Sequence, residues 1–443
     1  MEINLKEIQK VLKETFQDVI SFNVLKLSGG SSRDTYKIEL KLSSGRKRYL
    51  IMRIDPPNIP ARGVQFEAKL LNVLKTYNVP VAKVINSGKT PITQVPYVFF
   101  SFISGESQPK KILYEARFEQ LRKNLTKQCA HALAKIHRVD TNKVPGLSKQ
   151  NELQTVKSLY EALGYQSPVF DLTIKYLEDN AVDPHPYSFV HGDFRLGNFI
   201  VDNKKLKAVL DWELCHVGDP RSDLGWLCAK PWRFGSDKPV GGFGYYDELL
   251  ETYNQLTKHK ISFEQLKYFE ILSDLKWGVF CIYQSNLHIS GKRPSLDLAA
   301  IGRRISETEW DLLKETFKIT TPIISLPDSP GFSFQDRPYG WEFIDLIKDF
   351  NIKYRNLLTG YDRYQAKIID NLLDILKREL CFNEFITKLI SAELKQLNAK
   401  SIKDISDKIK SGKLDYNNKV LLTSLSKIIF LKLIINNPTY INY

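Results

Sequence analysis

The segment 188–213, SFVHGDFRLGNFIVDNKKLKAVLDWE, places Asp193, Asn198 and Asp211 at spacings suited to phosphoryl transfer. That reaction asks little covalent work of a protein; it needs Mg²⁺ clamped on phosphate oxygens and a carboxylate near the attacking hydroxyl. Asp193, in His191-Gly192-Asp193, is the candidate carboxylate. Four intervening residues let the loop turn so that Asn198, whose amide oxygen is a neutral hard ligand, faces a metal beside Asp211. Two such oxygens, phosphate oxygens and water make an Mg²⁺ shell. A coincidental polar hairpin is the competing reading, but D-x-x-x-x-N followed by a strand and a second Asp is a specific pattern. His191 is expected to pack and hydrogen-bond so as to fix the loop, because no second His lies at ligand spacing. Asp219 and Asp223 are expected to cap loops under the site, and Trp212 to pack behind Asp211. Glu213 stays open between a contact behind the metal and a surface acid.

A second signal lies nearer the N-terminus, where Gly29, Gly30, Ser31 and Ser32 occupy a turn between two strand-like runs. Glycines let backbone N–H groups approach phosphates, and serines add hydroxyl donors. Alone this is an ordinary hairpin turn. Read with a strand cation, Arg53, and a helical acid, Glu67, it resembles a nucleotide cradle. In a kinase-like lobe such a cation contacts the α and β phosphates and is held by a carboxylate on the neighbouring helix. Arginine's planar fork can hold phosphate and carboxylate at once. No G-x-x-x-x-G-K-[ST] occurs, which excludes a P-loop NTPase.

The elements that must position these residues are legible as patterns. From Val24 to about Phe102 the chain reads as strands with one helix over 64–76, where Phe66, Leu70, Val73 and Leu74 recur at helical spacing. PYVFFSFI, 96–103, is an apolar run expected to be buried on both faces. From about Gly105 the pattern is helical: 115–137 is amphipathic, 244–287 holds at least two more helices, and the runs FIV and AVL flank the turn DNKK between them. TTPIISLPDSPGFSFQDRP, 320–338, has four prolines and little periodicity, and reads as a linker. Beyond it Phe343, Ile347 and Phe350 form one helical stripe, and Ile368, Ile369, Leu372, Leu373, Leu376 and Leu380 another. The pattern is that of an α+β chain: an N-lobe over 1–103, a helical lobe with the catalytic hairpin over 104–320, a linker over 321–338 and a small helical domain over 339–443.

Composition narrows the partners. With 443 residues, 43% apolar and 26% charged, the chain has ample core for two or three domains. Its charge of +14 suits an anionic ligand, and the excess is spread: residues 338–443 hold 17 basic and 12 acidic side chains (+5), leaving +9 for the rest. Dispersed charge and no recognition motif argue against nucleic acid. Lys204, Lys205 and Lys207 read as a solvated hairpin tip. Five scattered cysteines without a C-x-x-C pair indicate buried thiols in a reducing compartment. The N-terminal segment reads as an acidic amphipathic helix rather than a targeting peptide, and IIFLKLII at 428–435 is too short to span a bilayer. A cytoplasmic protein without membrane association is the expectation.

SGGSSRDTY, YLIMRIDPP followed by Glu67, PYVFFSFISG, ALAKIHRVD and FVHGDFRLGNFIVD…AVLDWELCHVGDPRSDLGW together resemble the aminoglycoside phosphotransferase family. The branch is that of kinase domains associated with acyl-CoA dehydrogenases, over about residues 20–320. The resemblance implies a two-lobed protein-kinase-like fold with ATP in the cleft. The backbone of Ser101 and Ile103 would meet the adenine, Asp193 would be the base, and Asn198 and Asp211 would hold Mg²⁺. Residues 338–443 resemble a helical domain of unknown function found with such kinases. Arg33 and Ser101 depart from the branch, which often has Asn and Glu there.

Asp211 and Asp223 are 12 residues apart and no A-P-E follows, which leaves no room for a peptide-docking segment, so the acceptor should be a small molecule. Aminoglycosides are polycations and fit a basic chain poorly; the branch points instead to hydroxy acids or hydroxyacyl-CoA esters and to a functional association with acyl-CoA dehydrogenases. Trp277, Tyr283 and Arg303 are candidate acceptor contacts. The alternatives are an antibiotic phosphotransferase, a nucleotide-binding pseudokinase serving as an interaction module, and a charge-driven nucleic-acid binder.

Overall fold

The computed structural model describes residues 5–27, 34–55, 62–327 and 337–442. The turn containing Gly29, Gly30, Ser31, Ser32 and Arg33 lies outside them, as do residues 328–336 of the proline-rich stretch. The chain divides into two compact units: residues 1–150, 185–228 and 232–266 form the first, and 151–184, 229–231 and 267–443 the second.

The first unit begins with helix α1 (Leu5–Thr15), then strands β1 (Val19–Lys26), β2 (Asp34–Leu42) and β3 (Lys47–Ile54), helix α2 (Val64–Thr76), and strands β4 (Val84–Lys89) and β5 (Pro96–Ser101). The five strands form one antiparallel sheet in the order β1-β2-β3-β5-β4. Period-two alternation sorts its side chains. Tyr36, Ile38, Leu50, Met52 and Phe99 bury against Ile8, Val11 and Leu12 of α1. Val98 and Phe100, on the other face of β5, join a second core with Leu70, Leu71 and Leu74 of α2. This is why 97–100 reads as an unbroken apolar run: both faces of β5 are covered. The same alternation turns Ile51 and Arg53 to the face opposite Leu50 and Met52. Strand β4 has no counterpart among the sequence expectations, because VINSGK is too polar and too short to signal itself.

The rest of this unit is mainly helical: α3 (Pro109–Tyr114), α4 (Glu119–Ile136), α7 (Arg221–Cys228) and α8 (Tyr246–Leu256), the intervening α5 (Glu152–Leu163) and α6 (Pro168–Asp179) belonging to the second unit. Two short ribbons carry the polar loops. Strands β6 (Ser188–Val190) and β9 (His216–Gly218) pair, as do β7 (Phe199–Val201) and β8 (Leu206–Val209) around the DNKK turn. Asp202 accepts the Lys204 and Lys205 amides at 2.8 Å, so the lysine-rich tip is a capped turn. At Gly105 a Cβ would lie 2.5 Å from the Val201 carbonyl, so only glycine lets the chain leaving β5 pass against the hairpin.

The second unit adds α9 (Phe263–Ile289, assigned to it from residue 267), α10 (Leu296–Gly302), α11 (Ile305–Phe317), α12 (Gly340–Arg355), α13 (Gly360–Gln396), α14 (Ile402–Lys410) and α15 (Lys419–Asn436). Its core is continuous from Phe170 and Leu172 through Leu275 and Trp310 to Leu425, Ile428 and Leu431, and so draws on helices from both sides of the proline-rich stretch. Buried acids there have partners: Glu309 meets Lys432 and Ser167, and Tyr440 donates to Asp311 at 2.6 Å. No helix among the described residues is long and apolar enough to cross a membrane. All five cysteines are buried and none forms a disulfide.

Candidate active site

The polar loop 191–198 is built on a buried carboxylate. Asp223, fully buried in the first turn of α7, accepts the His191 amide on Oδ2 and the Gly192 amide on Oδ1, both at 2.8 Å. Its Oδ2 also accepts from His137 Nε2 at 3.1 Å, and His137 Nδ1 accepts from the Tyr253 hydroxyl at 2.6 Å. Burial alone would raise the Asp223 carboxyl; the hydrogen bonds from His137 and from the His191 amide hold it below the ordinary carboxylate value instead. His191 then locks the loop from within. Its Nδ1 accepts the Asp193 amide at 3.1 Å and its Nε2 donates to the Leu210 carbonyl at 3.0 Å. Burial depresses its basicity, as that neutral tautomer requires. Trp212 lies 4.3 Å from the His191 ring and packs on Phe189, the packing role expected of it.

Asp193 is held by three donors. Trp226 Nε1 (2.7 Å) and Arg195 Nε (2.8 Å) reach Oδ1, and Asn198 Nδ2 reaches Oδ2 at 2.6 Å. Arg195 is in turn stacked 4.2 Å over Trp232. Because the Asn198 amide nitrogen is spent on Asp193, its oxygen is the end left for a cation. The hairpin brings Asn198 level with Asp211: the Leu210 amide donates to the Asn198 carbonyl at 2.8 Å, and Asp211 comes next with φ +64°, a left-handed conformation that Asp tolerates better than most residues.

Arg53 Nη1 meets Glu67 Oε1 at 2.6 Å, both largely buried, and Nη2 lies 3.7 Å from Glu213. Glu213 is thus part of the cation's surroundings. Arg53 and Glu67 border a cleft of about 570 Å³, within the usual range for small-molecule sites, whose apolar walls include Leu27, Ile51, Leu71, Ala82 and Phe100. Asn198, Asp211, Ser101 and Ile103 line it too. Ser101 Oγ accepts the Lys83 amide at 3.0 Å and the Ser101 amide donates to the Lys83 carbonyl at 2.8 Å. The amide is therefore spent, and only the Ser101 carbonyl remains for a ligand at that position.

The donor set fits a hard divalent cation. Burial raises the Asp211 carboxyl to about 6, with Glu213 and Asp193 adding to the rise and Arg53 opposing it. Crowded buried carboxylates beside an amide oxygen are what a bound cation relieves. Among the described residues no three His, Cys, Asp or Glu side chains form a metal cluster.

Of the residues singled out in the sequence, the structure gathers Asp193, Asn198, Asp211, Arg53, Glu67, Ser101 and Ile103 in or beside this cleft; Gly29, Gly30, Ser31 and Ser32 lie outside the described residues. Trp277 and Arg303 make contacts within the second unit, with Arg304 and Glu379 respectively, and Tyr283 is exposed. Sequence reading missed Trp226, Arg195 and His137. Trp226 lies one helical turn after Asp223, and Arg195 two residues after Asp193; those spacings were the only available signals.

The chain matches the phosphotransferase enzyme family over residues 23–258 and a domain of unknown function over 356–440. It is 29% identical over 219 residues to acyl-CoA dehydrogenase family member 11 of Homo sapiens, covering 45% of this chain and 27% of the relative. It is 28% identical over 230 residues to family member 10 of Mus musculus, covering 46% and 20%. The chain thus spans about a quarter of the length of these relatives. A solved structure from Ralstonia eutropha, provisionally described as an aminoglycoside phosphotransferase, superposes with a TM-score of 0.54 at 21% identity, covering 70% of this chain and 96% of that one. The fold is protein-kinase-like. The chain belongs to the phosphotransferase enzyme family.

Two outcomes test the loop's construction. Gly192 has φ +82° and a Cβ there would sit 2.4 Å from the Leu214 carbonyl oxygen, so Gly192→Ala should cost about 2 kcal/mol or more in denaturant titration. Asp223→Asn should cost about 3 kcal/mol at neutral pH. Because the folded pKa of Asp223 is depressed, its contribution is complete above the unfolded value of about 4 and is lost as pH falls through the folded one. The gap between wild type and variant should therefore close in acid; a gap constant down to that range would contradict the assignment.

Proposed function

We propose that the chain transfers the γ-phosphate of ATP to a hydroxyl of a small molecule. Asp193 accepts the hydroxyl proton, Arg53, held by Glu67, contacts the α and β phosphates, and the adenine meets the Ser101 carbonyl and the Ile103 amide. Asn198 and Asp211 would hold Mg²⁺, which when bound neutralises charge on the phosphate oxygens. The turn Gly29, Gly30, Ser31 and Ser32 would cover the phosphates. What carries this reading is the shared position of a buried carboxylate–amide pair, Asp193 with Asn198, beside a cleft bordered by Asp211 and a buried Arg53–Glu67 ion pair. Trp226 and Arg195 aim Asp193 by taking one carboxylate oxygen, which leaves proton acceptance to the other.

For the acceptor, we infer an anionic hydroxy acid or hydroxyacyl-CoA ester. The charge of +14 favours an anion over a polycationic antibiotic. The names of the relatives point the same way and support a functional association with acyl-CoA dehydrogenases. A screen for ATP consumption over hydroxy acids, hydroxyacyl-CoA esters, aminoglycosides and macrolides distinguishes these classes. Nucleotide binding without turnover across the panel would favour an interaction module over an enzyme.

Nucleotide should raise the melting temperature only with Mg²⁺ present, and Asp193→Ala should lower kcat by at least about 10³-fold while keeping that stabilisation. Turnover by Asp193→Ala at the wild-type rate would refute the catalytic assignment. With the Asp211 carboxyl at about 6, protons should compete with Mg²⁺ below that pH and be released on binding. Calorimetry in buffers of different ionisation enthalpy should find this proton release in wild type and lose it in Asp211→Asn, the nucleotide's own titration being common to both.

A further inference from the structure

Helix α12 carries an apolar stripe that the described residues of its own unit do not cover. Phe343, Ile347, Phe350 and Tyr354 succeed one another at helical spacing, yet they are 48%, 53%, 63% and 43% exposed, while Ile344 supplies the buried contact. Ion pairs fix how α12 lies on α13: Lys348 meets Asp374 at 2.6 Å and Lys377 meets Asp345 at 2.7 Å, so the two helices run antiparallel. That register sets Leu376 and Leu380 of α13, 45% and 48% exposed, beside Ile347 and Phe343, with a Leu380 methyl 3.3 Å from where a Cβ on Gly340 would be. Helical spacing turns both rows about the same angle away from the α12–α13 seam, and in antiparallel helices this places them on one side. The result is a two-helix apolar platform of six large side chains.

We propose that this platform pairs with the same platform of a second copy of the chain, α12 against α12 and α13 against α13, each antiparallel across a twofold axis near Ile347 and Leu376. Area favours a second copy. Six large side chains about half exposed, with their flanks, offer roughly 600–800 Å² per copy, more than the largest patch of a typical monomer and close to the ~800 Å² per partner of a standard interface. A twofold axis crossing both helices lets the same apolar rows cover each other, as an isologous interface requires.

Analytical ultracentrifugation of the full chain should give a concentration-dependent doubling of mass. Phe350→Asp should return it to one copy with unchanged far-ultraviolet circular dichroism, because the side chain is exposed in the single chain. Ile347→Cys, close to the axis, should form an intermolecular disulfide under mild oxidation, whereas a cysteine at Lys377, on the other side of the helix pair, should not. A wild-type chain with the mass of one copy throughout, a dimer indifferent to Phe350→Asp, or cross-linking from Lys377→Cys in place of Ile347→Cys would each overturn the proposal.

Discussion

A carboxylate sealed from water must be satisfied from every side, and at Asp223 the donors come from a loop. Two consecutive amides of that loop, from His191 and Gly192, converge on it, and His137 completes its shell. Losing any one donor would leave part of a charge unpaired in a low-dielectric interior, so loop, helix α4 and helix α7 hold one arrangement together. Tyr253 extends the chain of donors into α8. The polar loop that presents Asp193 is thereby as firmly placed as a strand, although it contains almost no regular structure.

Above that anchor the electrostatics are unbalanced. Asp193, Asp211 and Glu213 crowd together, with Arg53 and Arg195 the cations that face them. A structure selected for stability alone would not bury Asp211 where its neighbours oppose its charge; sites that await a cation and phosphates do. The left-handed backbone at Asp211 is of the same kind, a local cost borne where geometry matters more than ease.

The strong local signals are legible in the sequence because each rests on a short-range rule. The helix over 64–76, the both-faces-buried strand at 96–101 and the FIV–AVL hairpin come from period and turn chemistry within a dozen residues. Arg53 and Glu67, separated by 14 positions, required only that a strand and the next helix face each other. By contrast β4, with its polar VINSGK, is stabilised by pairing with β5 and is invisible locally. The stripe on α12 illustrates the opposite limit: its periodicity announces a helix and an apolar face without saying whether anything of the same chain covers that face.

The order of residues along the chain was enough to single out the candidate residues that the fold brings together, Asp193, Asn198, Asp211, Arg53 and Glu67, and the helices and strands that bear them, because spacing, period and side-chain chemistry are local properties. Folding in three dimensions settled the rest: that Trp226 reaches Asp193 across 33 positions, that His137 anchors Asp223 across 86, and that Ser101 spends its amide and hydroxyl on Lys83. Hydrogen bonds between distant segments depend on how cores close around them, and no spacing along the chain encodes that closure.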